Sequence, residues 1–536
     1  MSLSNPGSPH TSYKSNGPGP LSNRPAAILL TLVVTLVASR FWRLTASCLW
    51  FDEIFSVHAT RHSWAEMMHF VAADIIHPPL FYALLKIWTA IGGESLLWLR
   101  LFPALLGIAV IIPLVMIGRE LRMGRASINL ALLLMTVNGY LIKYAQEVRM
   151  YSLLLLLSLC SLWLLIRFVK LDRPAIKHLL PLFAVNLLLV YTHYSGWLVV
   201  VLEACATLLW FRGKVRPVLL GATTLALAYI PWIYEVTRTA TEFKQQLAQN
   251  IGWVARPFLK HLFEYFTLLN KPFSFSQSSL DAGYNSVSLW LSILLFGVPL
   301  LLAGLRQVRL VRDEGQRWST ETRLLWLFAF GPALLVFILS WILPKSVWGT
   351  RHLIIASGPY SLLVAQALVQ LRPDWAKIAA NLLLGSWILL SAGVFLIGRP
   401  PVFIWCCWEQ LAPQMVAESN STSTIRVYAF EDLVAYHLWF NLERTCDGRC
   451  EVRVVKGLPG VMEDPAYFLP RRFDGVRSGD KSSLTGDEIW VAFRDINFDE
   501  RRPPLDFLQA EGYHAVRVLS TTAQGQQAFL VRLERK

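Results

Sequence analysis

Trp50-Phe51-Asp52-Glu53-Ile54-Phe55-Ser56 sets two adjacent carboxylates a few residues beyond an apolar run, Ala26 to Leu44, of spanning length. Ionised acids are costly to take out of water, so a pair at the edge of hydrocarbon marks a boundary where chemistry can be done. Everything upstream decides whether that run is kept. Residues 1–25 are rich in Ser, Pro, Gly and Asn and lack apolar periodicity, and no basic region precedes a cleavage site. We expect a disordered tail over 1–25, followed by a retained membrane helix.

Composition carries the same message outward. The 536 residues are 54% hydrophobic and 16% charged, with a positive mean hydropathy. That excludes a soluble enzyme of several domains and implies a polytopic membrane protein. The net charge of +14 is spread as short Lys/Arg clusters between apolar runs, the pattern of cytoplasmic loops; no nucleic-acid partner is expected. Of the cysteines, Cys446 and Cys450 are close together in a polar region, where a disulfide in an oxidising compartment or two free thiols both remain open.

After Ala26–Leu44, apolar segments recur at Pro78–Ile91, Trp98–Gly118, Ile128–Ile142, Tyr151–Phe168, Leu179–Tyr191, Gly196–Phe211, Val218–Val236, Val287–Leu305, Leu324–Leu343, Leu353–Leu371 and Ile378–Ile397. The clusters around Arg119, Lys170, Lys214, Arg309 and Arg372 are separated by pairs of crossings, so they share a side. The amino terminus joins that side only if Pro78–Ile91, the shortest segment, dips in and returns. The expectation is a mainly α membrane protein with about 11 spanning helices plus interfacial or re-entrant ones. Its catalytic part spans 26–398, with external loops at 45–77, 143–150, 237–286 and 344–352. Within the third loop, Phe258–Leu269 has the mixed pattern of a helix lying along the interface. Beyond residue 399, Ile425–Phe430, Glu451–Val455, Glu488–Phe493 and Ala528–Leu533 alternate like strands around a helix at Glu431–Leu442, giving a small soluble α/β domain over 399–536 on the far side.

This bookkeeping puts Asp52, Glu53, His77, Glu147, Arg149, His193, Tyr194, Arg351 and His352 on one face. Singly, each has a plain structural explanation: an acidic helix start, a proline-led first turn, an ion pair, a snorkelling arginine. Together, carboxylates, imidazoles and guanidinium groups beside hydrocarbon suit a substrate with a lipid tail and an anionic head. Arg351 would hold a phosphate, and an acid would take a proton from an acceptor hydroxyl or amine.

Asp52-Glu53, His77-Pro78-Pro79-Leu80, Arg100-Leu101-Phe102-Pro103-Ala104-Leu105, Gln146-Glu147-Val148-Arg149-Met150-Tyr151, Tyr191-Thr192-His193-Tyr194 and Arg351-His352-Leu353 occur in an order that resembles the family 39 glycosyltransferases. The bacterial relatives of dolichyl-phosphate-mannose protein mannosyltransferases are the nearest in pattern, and the lipid A aminoarabinose transferases are more distant. The resemblance covers roughly 26–371. It implies a GT-C fold and an inverting, polyprenyl-phosphate-sugar-dependent transferase of the cell inner membrane. The amino terminus would be cytoplasmic, the active site and carboxy-terminal domain extracytoplasmic. Asp52 would be the base, with Glu53 beside it and Glu147 as the second acidic position; His77, Arg149, His193, Tyr194, Arg351 and His352 would bind substrate. Partners would be membrane lipid, the lipid-linked sugar and a protein, glycolipid or polysaccharide acceptor. Val148 replaces the usual alanine and His352 a common tyrosine. No cofactor is certain; a divalent metal is left open, and would take Asp52, His77, Glu147 and His193. The competing class is a transporter or flippase of lipid-linked sugars, which should carry mid-bilayer charges and internal repeats.

Overall fold

The computed structural model describes residues 24–173, 175–242, 254–273, 286–314, 319–398, 402–419, 424–458, 460–461 and 468–535. The tail expected over 1–25 lies almost wholly outside them. Among the described residues, seven helices are long and apolar enough to cross a membrane, and five shorter apolar ones accompany them. Each falls on one of the apolar segments read from the sequence, and the chain is a multi-pass membrane protein.

The first half runs α1 (Arg24–Phe41), α2 (Phe51–Arg61), α3 (Trp64–Asp74), α4 (Leu80–Gly92), α5 (Leu96–Ala109), α6 (Ile111–Glu120), α7 (Arg125–Val137) and α8 (Gly139–Gln146). Then come α9 (Tyr151–Lys170), α10 (Ile176–Thr192), α11 (Gly196–Trp210), α12 (Val215–Glu242) and α13 (Leu259–Asn270). The membrane half closes with α14 (Ser286–Ser292), α15 (Val298–Glu314), α16 (Thr320–Ile342), α17 (Ser357–Val369) and α18 (Asp374–Ile397). Helices α9 and α17 are buried along nearly their whole length and form the centre of the bundle. The outer helix α18, by contrast, leaves Leu382, Leu389, Leu390 and Val394 exposed, as a lipid-facing helix must.

One expected segment, Ile128–Ile142, is broken in two at Asn138. Its Oδ1 accepts from the Leu141 N–H at 2.9 Å, capping α8, while Nδ2 donates to Leu268 O and Leu269 O at 3.1 and 2.9 Å. An asparagine that satisfies its amide this way competes with the continuing helix and wins. The bend is what turns Glu147-Val148-Arg149 back toward α2. The interfacial helix expected at Phe258–Leu269 forms as α13, with Phe258, Leu259 and Phe263 exposed and Tyr265 buried. Tyr265 donates to Leu353 O at 2.8 Å, and Tyr140 of α8 donates to Thr350 O at 2.8 Å. These two phenols hold the segment that carries Arg351.

The carboxy-terminal domain contains α19 (Cys407–Glu418), β1 (Ile425–Ala429), α20 (Asp432–Thr445), β2 (Cys450–Val455), β3 (Val476–Gly479), β4 (Glu488–Asp495), α21 (Leu505–Ala510), β5 (Tyr513–Ala523) and β6 (Gln526–Arg535). Its sheet has the order β3-β2-β1-β4-β6-β5. Strands β1 to β4 are parallel, and β6 and β5 are added antiparallel. The four strands read from the sequence are present. The two that were not are the edges: β3 has four residues, and β5 is mostly exposed, so neither shows the alternation that betrays a half-buried strand.

The domain is docked firmly on the membrane half. Tyr436 and Trp439 of α20, with Phe473, surround His58 of α2, whose Nδ1 lies 3.0 Å from the Tyr436 hydroxyl. Cys446 and Cys450 form a disulfide, and a second joins Cys48 to Cys406. The latter links residues 358 apart, which no local pattern announces.

Candidate active site

Glu53 is the pin on which the site is assembled. Val148 N–H and Arg100 Nε donate to its Oε1 at 2.9 and 3.3 Å; Trp50 N–H and Arg100 Nη2 donate to its Oε2, both at 3.1 Å. Arg100 in turn donates to the carbonyls of Leu44, Ser47 and Cys48. Glu53 is 1% exposed and Arg100 6%. A buried acid with every lone-pair direction filled from within the protein has nothing left for a substrate. It joins the end of α1, the start of α2 and the Glu147 loop instead.

Asp52, one residue earlier, points the other way around the helix. Its Oδ2 pairs with Arg351 Nη1 at 3.1 Å, and among the described residues no donor engages Oδ1. Arg149 Nη1 donates to Asp52 O, Ser56 Oγ and the Tyr82 hydroxyl at 3.1, 3.2 and 3.3 Å, and Nη2 lies 3.2 Å from His77 Nδ1. Residues spread from 52 to 351 therefore converge. Glu147 sits 3.8 Å from Lys143, with its Oε2 buried and unpartnered, and desolvation pushes its carboxyl up to about 7 against the pull of Lys143. Tyr194 accepts a 3.4 Å hydrogen bond from the Trp232 indole.

Two members of the site carry no motif. Asp74, at the end of α3, lies within electrostatic reach of Asp52 and Arg149. Arg471, from the carboxy-terminal domain, reaches in to donate to Ala73 O at 2.7 Å. The signal for Asp74 was its place three residues before His77; Arg471 had none.

Among the described residues, the cluster with metal-ligand spacing is His77, His193 and His352, whose ring nitrogens lie within 4.8 Å of one another. The expected acids are not in it. Ser195 N–H donates to His193 Nδ1 at 2.9 Å. A backbone N–H can only donate, so the ring proton sits on His193 Nε2, which is buried and unpartnered. Burial holds this imidazole neutral, down to about 3, with Arg149 and Arg351 adding to the effect. Arg149 takes the facing lone pair of His77 in the same way. His193 presenting an N–H, and His77 already engaged by Arg149, beside two guanidiniums and with no carboxylate in the cluster, do not fit a divalent cation. They fit an anion.

A small, mostly apolar pocket lies between α1, α5, α6, α7 and α9, lined by Leu36, Gly107, Leu114, Met135 and Leu155, with the buried Arg40 also on its wall. Ile354, three residues after Arg351, also lines it.

Among the described residues, seven long and five shorter apolar helices, a short helix opening on an acid pair and a carboxy-terminal mixed-sheet domain packed against them make up the GT-C fold. Superposition agrees. ArnT from Cupriavidus metallidurans, the lipid A aminoarabinose transferase, matches when bound to undecaprenyl phosphate, with a TM-score of 0.57 and 13% identity over 95% of this chain and 98% of that one. Its apo state matches with the same TM-score and 14% identity. The archaeal oligosaccharyltransferase AglB from Archaeoglobus fulgidus, in complex with an inhibitory peptide and a dolichol-phosphate, is similar at a TM-score of 0.49 and 12% identity over 79% of this chain and 64% of that one. No protein-family model matches the chain, and no curated protein matches it in sequence.

Proposed function

We propose that this protein is an inverting glycosyltransferase that moves a sugar from a polyprenyl-phosphate carrier to an acceptor at the extracytoplasmic face of the inner membrane. The observation that carries the reading is the Asp52–Arg351 pair, an acid and a guanidinium brought together across 299 residues of chain beside three imidazoles. A carrier tail of isoprene units would lie among the apolar helices of the membrane half. Its phosphate would then lie against Arg351 and Arg149, with His193 Nε2–H and the other two imidazoles completing the donors. Undecaprenyl phosphate is the lipid bound by ArnT, which supports this class of carrier.

The reaction follows from the charges. Asp52 takes the proton of an acceptor O–H or N–H, the freed lone pair attacks the anomeric carbon from the face opposite the phosphate, and the carbon–oxygen bond to phosphate breaks. The bonding pair leaves on a phosphate oxygen whose growing charge is met by guanidinium and imidazole donors already in place. No step calls for a metal. Glu53 we read as a positioning group, not a second base.

A flippase would need a path of ionisable groups through the bilayer. Glu203, the acid in the middle of α11, is instead tied to Ser161 and to Asn186, the latter at 2.6 Å, and is 2% exposed. A locked polar triad is no conduit.

Mass spectrometry of lipid-linked sugars and surface glycans from cells lacking the protein tests the reading. One polyprenyl-phosphate sugar should accumulate while one glycan, whether on protein, glycolipid or polysaccharide, loses that sugar. If neither pool changes, the reading is wrong. For the phosphate contact, Arg351→Ala should weaken binding of undecaprenyl phosphate by about 10- to 100-fold, the worth of a charge-assisted hydrogen-bond pair. Isothermal titration on the purified protein reads it directly, and Arg351→Lys should recover only part, because a point charge lacks the planar fork.

A further inference from the structure

Asp74 lies within electrostatic reach of Asp52 and Arg149 although no motif marks it, and its surroundings come from both halves of the molecule. Helix α3 ends at Asp74 because Ile75 adopts a left-handed backbone, φ 57°, and donates back to Ala72 O at 3.1 Å. That turn delivers His77 to Arg149. From the membrane half, Asp74 faces Asp52 of α2, Tyr82 of α4, Arg149 after α8 and Tyr194 before α11. From the carboxy-terminal domain it faces Arg471 and Tyr436. Arg471 is 9% exposed and is fixed at this spot by its bond to Ala73 O, across 398 residues of chain.

The neighbours of Arg351 are different. They are Tyr144, Tyr151 and Glu147, with His193 and His352, all from the membrane half. Asp52 and Arg149 are common to both sets, so they stand between them. A phosphate goes to the guanidinium and imidazole side. A carboxylate repels phosphate and takes hydrogen bonds from O–H and N–H groups, so the Asp74 side is left for the acceptor.

We propose that Asp74, beside Arg471 and Tyr436 of the carboxy-terminal domain, orients the acceptor by binding a hydroxyl or amine group next to its nucleophile. The acceptor is a polar, hydroxyl- or amine-bearing molecule that enters along the seam between the two halves. This rests on the glycosyltransferase reading of the site and adds to it the carboxy-terminal domain as part of the acceptor subsite. Desolvation raises the Asp74 carboxyl to about 7, with Arg149 and Arg471 pulling down and Asp52 pushing up. Acceptor affinity therefore rises as pH increases through about 7, where the carboxylate form takes over.

The test uses full-length protein, with donor lipid and unmodified acceptor both extracted from cells lacking it, and undecaprenyl phosphate as a separate binding probe. Asp74→Asn should raise the acceptor KM by about tenfold or more, a lost charged hydrogen bond. It should also flatten the rise through pH 7, while donor KM and the undecaprenyl phosphate Kd stay within about twofold. Arg471→Ala should move acceptor KM the same way, and Arg471→Lys should restore it. Unchanged acceptor KM and pH profile in both variants overturns the proposal, as does a rise in donor KM alone. If Asp74→Asn no longer binds undecaprenyl phosphate, it has misfolded, and the Arg471 pair decides alone. Wild-type protein that transfers no sugar between these fractions would refute the glycosyltransferase reading itself.

Discussion

Asp52→Asn is expected to cut sugar transfer by about 10²- to 10⁴-fold, the range of a positioned general base. The amide keeps the shape of the carboxylate, and its carbonyl oxygen can still accept from Arg351 at the 3.1 Å position now held by Oδ2. What it loses is the ability to take a proton. Protein level in the membrane and binding of undecaprenyl phosphate should therefore stay close to wild type while turnover collapses. Initial rates of the purified variant, with binding measured in parallel, make the separation. Wild-type turnover in this variant would remove Asp52 as the base.

Its neighbour should behave in the opposite sense. Glu53→Ala leaves the Arg100 guanidinium buried without its counter-charge, and strips partners from the Val148 and Trp50 N–H groups. Breaking a buried ion pair on one side costs about 3–5 kcal/mol, against a total stability of about 5–15 kcal/mol for a typical domain. The variant should accumulate poorly and melt well below wild type, losing activity through loss of structure. Glu53→Gln keeps the volume and two acceptor contacts and should fall between. A thermal unfolding series in detergent checks this. A stable, correctly folded but inactive Glu53→Ala would return Glu53 to the chemistry. With both outcomes, the two adjacent acids would separate into one that acts and one that holds.

That separation was not legible in Asp52-Glu53 as written. The dipeptide says that two carboxylates share a helix start; it does not say that the donors meeting Glu53 come from residues 50, 100 and 148. The same holds for Asp74, which looks like an ordinary helix end until Arg471 arrives from the other half. Cys48 likewise gives no hint of Cys406. The histidines left a choice open. Their residue type suggests a metal, and only the direction of the Ser195 N–H reveals that His193 presents a proton, not a lone pair.

The apolar segments, the helix at α13, four of the six strands and the residues that converge around Asp52 and Arg351, apart from Asp74 and Arg471, could be read from the chain. Hydropathy and periodicity are local: a bilayer or a sheet face asks each residue the same question its neighbours in sequence answer. The order of the short motifs supplied the GT-C expectation, which the superposition on ArnT bears out as a fold. The division of labour inside the site was decided by tertiary structure. Whether an acid can react depends on which of its lone pairs are already filled. The groups that fill them lie up to several hundred residues away, brought close only when the helices pack.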